Sequence, residues 1–73
     1  MNLGEYISSV IEQQGRTKVW VSEQIDMNYK TFVDKLTRDT IKGVELLRIA
    51  KVLNIDLEKL KKEIWGGINN EKY

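Results

Sequence analysis

The sequence predicts an all-α fold, a compact bundle of five short helices. Three observations carry that reading. No proline occurs anywhere in the 73 residues, and no stretch alternates β-branched and polar residues over five or more positions. Apolar residues instead recur at three- and four-residue spacing along the chain. Polar stretches of about two to five residues separate the periodic segments, as in a tight helical bundle. No repeat, low-complexity segment or linker interrupts the pattern. The chain therefore reads as one domain over residues 1–67, followed by a polar C-terminal tail over 68–73.

Helix 1 is predicted over about residues 3–14, with Leu3, Ile7, Val10 and Ile11 on one face and Tyr6 beside them. Gly15 suits the position just past its end, where a left-handed residue terminates a helix at little cost. Thr17 caps helix 2, about 18–25, in which Val21 and Ile25 stand four apart and share a face. The turn Asp26-Met27-Asn28 follows, with Met27 as a buried plug. Asn28 caps helix 3, about 29–37, because its side-chain oxygen can accept a first-turn N–H. Phe32 and Leu36 form the inner face of helix 3 and are expected to pack against Val21, Ile25 and Leu47. The segment from Arg38 to Lys42 reads as a polar loop apart from Ile41. Helix 4, about 43–53, carries Leu46, Leu47, Ala50 and Leu53 at i, i+3, i+4, i+7, and Asn54 ends it. Asp56 caps helix 5, about 57–64, which has Leu57, Leu60 and Ile64 on one face; Gly66-Gly67 stops it.

Composition excludes several functional classes. A domain of this size buries only about 60–65% of its unfolded surface, which leaves no room for a core plus a substrate cleft. The chain has no cysteine and no histidine. Disulfides, thiolate metal sites and zinc fingers are therefore out, and a reducing cytoplasm is compatible. The longest apolar run is the three residues Val19-Trp20-Val21, so neither a signal peptide nor a membrane span is expected. At 41% apolar and 32% charged residues the chain should fold rather than stay disordered. No enzyme is expected: there is no nucleophile-plus-base pair, and GVELL and WGG lack the context of a phosphate loop. No cofactor, metal or small-molecule ligand is implied.

The stretch that suggests a chemistry is 17–38, TKVWVSEQIDMNYKTFVDKLTR: two short helices, a tight turn, and a second helix that is basic on its exposed side. That is the layout of a helix-turn-helix, whose second helix enters the DNA major groove. Net charge is only +1. From Asn28 to Lys42, however, four cations (Lys30, Lys35, Arg38, Lys42) outnumber two anions (Asp34, Asp39), leaving the rest of the chain at −1.

Over about residues 5–60 the chain resembles the Cro / lambda-repressor-like (XRE-type) helix-turn-helix family. In TKVWVSEQI, Thr17, Val21, Ser22 and Ile25 fill the family's polar, aliphatic, small and aliphatic slots, Ser22 being the small residue that lets helix 3 approach. NYKTFVDKLTR is similar to a variant with a Thr-Phe pair followed by Lys-Leu and a basic end. LLRIAKVLNIDLEKL resembles the fourth helix and the start of the fifth. There are departures. Asp26 stands where the turn often has glycine and tolerates a left-handed backbone less well. Gly43 replaces an aliphatic residue whose place Ile41 or Val44 must take, and Lys18 replaces the usual glutamine.

The resemblance implies a five-helix lambda-repressor-like DNA-binding domain. Its function would be that of a sequence-specific, double-stranded-DNA-binding transcriptional regulator, a small phage or bacterial repressor. Such a protein would be cytoplasmic and act as a homodimer on a palindromic operator, without a sensor domain. Tyr29, Lys30 and Asp34 then match base-reading positions, since lysine donates to guanine and a carboxylate accepts from cytosine. For Asp34 the alternative is a surface ion pair with Lys30 or Arg38. Lys18, beside the Thr17 cap, suits a phosphate. Thr17, Asn28, Thr31, Lys35, Arg38 and Lys42 complete the expected backbone contacts. Leu57, Leu60, Ile64 and Trp65 either close the core or form a dimer stripe. Trp20, one residue off the Val21–Ile25 face, is expected to pack on the end of helix 1 or on helix 5. The rival function is a protein-interaction module on the same scaffold, an anti-repressor or antitoxin-like inhibitor.

Overall fold

The structure, a computed structural model, describes residues 2–65, without the side chains of Glu63 and Trp65. Among these residues the chain is all-helical: α1 Leu3–Gln13, α2 Lys18–Gln24, α3 Tyr29–Arg38, α4 Gly43–Leu53 and α5 Leu57–Trp65. The Gly66-Gly67 stop and the 68–73 tail lie outside the described residues. No helix among them is long and apolar enough to cross a membrane.

Short polar side chains start most of the helices. The Asn2 side chain accepts the Glu5 N–H at 2.8 Å, and the Glu5 carboxylate accepts the Asn2 N–H at 3.2 Å, a reciprocal capping box. Thr17 Oγ1 accepts the Trp20 N–H at 3.0 Å. Asn28 Oδ1 accepts from the N–H groups of Lys30 and Thr31, and Asp56 Oδ1 from that of Glu58. These bonds satisfy first-turn donors that have no partner within the helix.

Left-handed residues follow α1 to α4: Gly15 (φ 69°), Asp26 (φ 56°), Asp39 (φ 58°) and Asn54 (φ 56°). Three of the four are not glycine. Asp and Asn visit this region more readily than other side chains, because a short polar group can bond locally. Asp26 thus adopts the backbone that glycine would adopt more cheaply, and the turn between α2 and α3 closes without it. The Met27 N–H donates to Ser22 O at 2.8 Å across that turn, and the Met27 side chain is half-buried against the core.

Ile7 and Ile11 of α1, Val21, Ile25, Phe32 and Leu36, and Ile49 and Leu53 of α4 form one buried cluster. Helix α3 packs on both α1 and α2. Trp20, Leu46 and Ile41 pack around the cluster half-buried, so Ile41 rather than the exposed Val44 supplies the missing aliphatic. Ser22, 2% exposed, is the one buried polar residue among the described residues; its hydroxyl donates to Val19 O.

Leu47 is the correction. It is 56% exposed, so it does not back Phe32 and Leu36; Ile49 and Leu53 stand on that side instead. Helix α4 carries two overlapping apolar stripes. Ile49, Ala50 and Leu53 share an arc with Leu46, whereas Leu47 lies about 100° round from Leu46. Only one rotation of α4 can face the core, and the one that buries Ile49 leaves Leu47 outside.

Gly4 explains how closely α1 and α3 approach. A Cβ built there would sit 2.0 Å from the carbonyl oxygen of Leu36. The Gly4 N–H donates to Asp39 Oδ1 at 3.0 Å. One aspartate therefore ends α3 with its backbone and caps α1 with its side chain. At the other end of α1, Gln14 Nε2 donates to Leu53 O at 2.6 Å, covering a terminal carbonyl of α4.

Candidate nucleic-acid interface

With Phe32 and Leu36 turned inward, the 100° step of a helix sends Lys30 and Asp34 to the opposite side of α3. Both are exposed, as are Thr31 and Arg38. Tyr29, at the first position of α3, is 46% exposed. The hydrophobic face fixes α3 from behind, and the Asn28 cap fixes its start, so the outer side chains project from a rigid support.

Two anions decide which cations are free. Arg38 Nε donates to Asp34 Oδ1 at 2.8 Å, an i, i+4 pair with side chains 72% and 58% exposed. The alternative reading of Asp34 as an ion-pair partner is the arrangement seen. Such an exposed pair is worth only a few tenths of a kcal/mol and opens readily for another partner. Lys35 is held more firmly. Its Nζ lies 3.2 Å from Glu45 Oε2, with both side chains largely covered. The other oxygen of Glu45 accepts the Lys42 N–H at 2.9 Å. Glu45 thus ties the end of α3 to the start of α4. The Lys42 backbone bond, then the Lys35 ammonium, hold its pKa below the usual glutamate value.

The other expected contact residues are placed as follows. The oxygens of Thr17 and Asn28 are occupied as caps, which leaves the Thr17 hydroxyl proton and the Asn28 amide protons as outward donors. Lys18 is half-buried; Lys30 and Lys42 are exposed, and none of the three makes an ion pair among the described residues. Lys18 lines an open groove between α1 and the ends of α2 and α3, with Ser8, Glu12, Arg16 and Thr37.

The C-terminal stripe divides. Leu60 is 2% exposed and belongs to the interior, Leu57 is 41% exposed, and Ile64 is half-buried. The Trp65 side chain lies outside the described residues. Burial of Leu60 removes the centre of the stripe from any subunit surface.

The sequence reading passed over Arg16, whose guanidinium carbon lies 4.3 Å from the centroid of the Trp20 ring. A cation four residues before an aromatic was the available signal. It also passed over Glu45 as the partner of Lys35, for which ten residues of separation left no local sign. Comparison with protein families, with characterised proteins and with solved structures finds no match for this chain.

Proposed function

We propose that the protein is a sequence-specific, double-stranded-DNA-binding transcriptional regulator of the lambda-repressor-like kind, with α2 and α3 as its helix-turn-helix. The observation that carries the reading is α3. It buries Phe32 and Leu36 completely or nearly so and turns a polar arc containing Lys30 and Asp34 outward from a capped, rigid start. A helix so supported can lie in a major groove and offer its first turns to base edges. Lys30 is the base-reading cation, and Tyr29 stands beside it. Lys18 and Lys42 are the free cations for phosphates, and Arg38 joins them by exchanging Asp34 for a phosphate oxygen. Lys35 contributes less, because leaving Glu45 would unfasten α4.

The regulator acts in the cytoplasm as a homodimer, so that two α3 helices meet the half-sites of a palindromic operator and block or recruit polymerase. Selection from randomised duplex DNA, followed by a salt titration of the enriched site, tests this. Enrichment of a palindrome with salt-sensitive affinity is the expected result. Failure to retain any duplex at low salt refutes it.

A second reading has its own support. Val44 is 64% and Leu47 56% exposed, neighbours three apart on α4, while Asp34 and Glu45 offset two of the α3 cations. A protein-interaction module would use such a surface. Salt-independent capture of a protein partner, with no retention on heparin or DNA, would favour it.

A further inference from the structure

Four cations around α2 and α3 make no ion pair among the described residues: Arg16, Lys18, Lys30 and Lys42. Arg16 differs from the rest in being held. Its guanidinium stacks on Trp20 at 4.3 Å, and Trp20 is itself half-buried and packed on the core. The ring is therefore a fixed platform. A guanidinium lying on a ring still points its N–H groups outward, because they lie in its own plane. Much of the side-chain freedom that a surface arginine loses on meeting a ligand is already lost here. Arg16 and Lys18 also line the same groove. Glu12 lines it too, yet forms no ion pair with either cation.

We propose that Arg16, pre-set on the Trp20 ring, is a phosphate-contacting residue of the DNA interface and forms with Lys18 a two-cation clamp on the backbone. This rests on the DNA-binding reading above. The clamp adds affinity without sequence preference, since phosphates are alike at every base pair. The planar guanidinium can take two phosphate oxygens at once, which Lys18 cannot.

The test compares the whole chain with its Arg16→Ala, Arg16→Lys, Trp20→Leu and Lys18→Ala variants on a duplex of random sequence, titrated with salt. Arg16→Ala should lower the slope of log affinity against log salt by about 0.9 and weaken low-salt binding several-fold. Arg16→Lys and Trp20→Leu should keep the slope, because the charge remains, yet bind less tightly, because the stack is gone. A melting curve accompanies each variant; if Trp20→Leu does not fold, Arg16→Lys decides. An unchanged slope and affinity in Arg16→Ala, with the slope reduced in Lys18→Ala, would overturn the clamp and leave the DNA reading standing. Duplex binding absent or salt-independent in the wild-type chain would overturn both.

Discussion

Replacing Gly4 by alanine should destabilise the domain, against the usual sign for such a change in a helix. Within a helix, Gly→Ala gains up to about 1 kcal/mol, because glycine loses more backbone freedom on folding. Here the new Cβ would stand 2.0 Å from Leu36 O, 2.9 Å from Leu36 C and 3.2 Å from Leu36 Cα. All three are backbone atoms inside α3, so no side chain can swing aside. Relief requires α1 and α3 to separate by more than an ångström, where ordinary carbon–oxygen contact begins at about 3.3 Å. Overpacking of a dense interior costs about 1–3 kcal/mol, occasionally more, and this backbone clash belongs at the upper end. Separation also stretches the Gly4–Asp39 bond, a hydrogen bond to a charged group worth about 1.5–3 kcal/mol. Set against the helical gain, a net loss of about 3 kcal/mol is expected. For a domain of this size that lowers the melting temperature by roughly 12–24 °C. Thermal and urea melts followed by circular dichroism measure it. Gly43→Ala is the control: nothing lies within 4 Å of its Cβ, so that variant should melt at or slightly above wild type. A Gly4→Ala protein as stable as wild type would show that α1 and α3 do not meet backbone to backbone.

Phe32, with no exposed surface, should cost about 3–5 kcal/mol when cut to alanine, and a melt within a degree or two of wild type would refute its place in the core. The Glu45 pKa is lowered on folding, so its contribution is present above the unfolded value of about 4.3 and is lost as pH falls through the folded one. Glu45→Gln should therefore flatten the acid limb of stability, measured downward from the ordinary glutamate pKa; an unchanged limb would remove the Lys35–Glu45 tie from the account. Lys30→Ala should cost about 1–3 kcal/mol on the selected operator and little on random duplex, whereas Lys18→Ala should weaken both alike; equal losses in both variants on both DNAs would take base reading away from Lys30. Assembly is tested at Leu57, the most exposed apolar residue of α5 among those with described side chains: Leu57→Lys should weaken a homodimer and its operator affinity without reducing helicity, and sedimentation of the wild-type chain as a monomer at high concentration would reject the dimer.

Much of the helical layout is legible in the residues themselves. Thr17, Asn28 and Asp56 start their helices by bonding N–H groups two or three residues on, and Gly15 and Asn54 turn left-handed two residues past Gln13 and one past Leu53. Such effects act within a turn, so each helix boundary falls within a residue of where local chemistry places it. Residues Asn2 and Glu5, three apart, are an equally local capping signature that the reading passed over. The inner face of α3 was legible for the same reason: Phe32 and Leu36 are its only large apolar side chains besides Tyr29 and Val33, and they stand four apart.

Contacts between distant residues were decided only in the folded chain. Leu46, Leu47, Ile49, Ala50 and Leu53 offer α4 more than one apolar face, and a single helix has no means of choosing among them. Packing against Ile7, Val21 and Phe32 chooses, and Leu47 is left outside. The candidate interface divides in the same way. The sequence by itself determined that a capped helix presents Lys30, Asp34 and Arg38 away from Phe32, because the helical step dictates direction. Only the tertiary structure decided that Lys35 is taken by Glu45, that Arg16 is laid on a half-buried Trp20, and that Gly4 must remain small beneath Leu36. Local order follows from bonds closed within one turn; the availability of a charge, or of space, depends on whichever atoms the fold brings beside it.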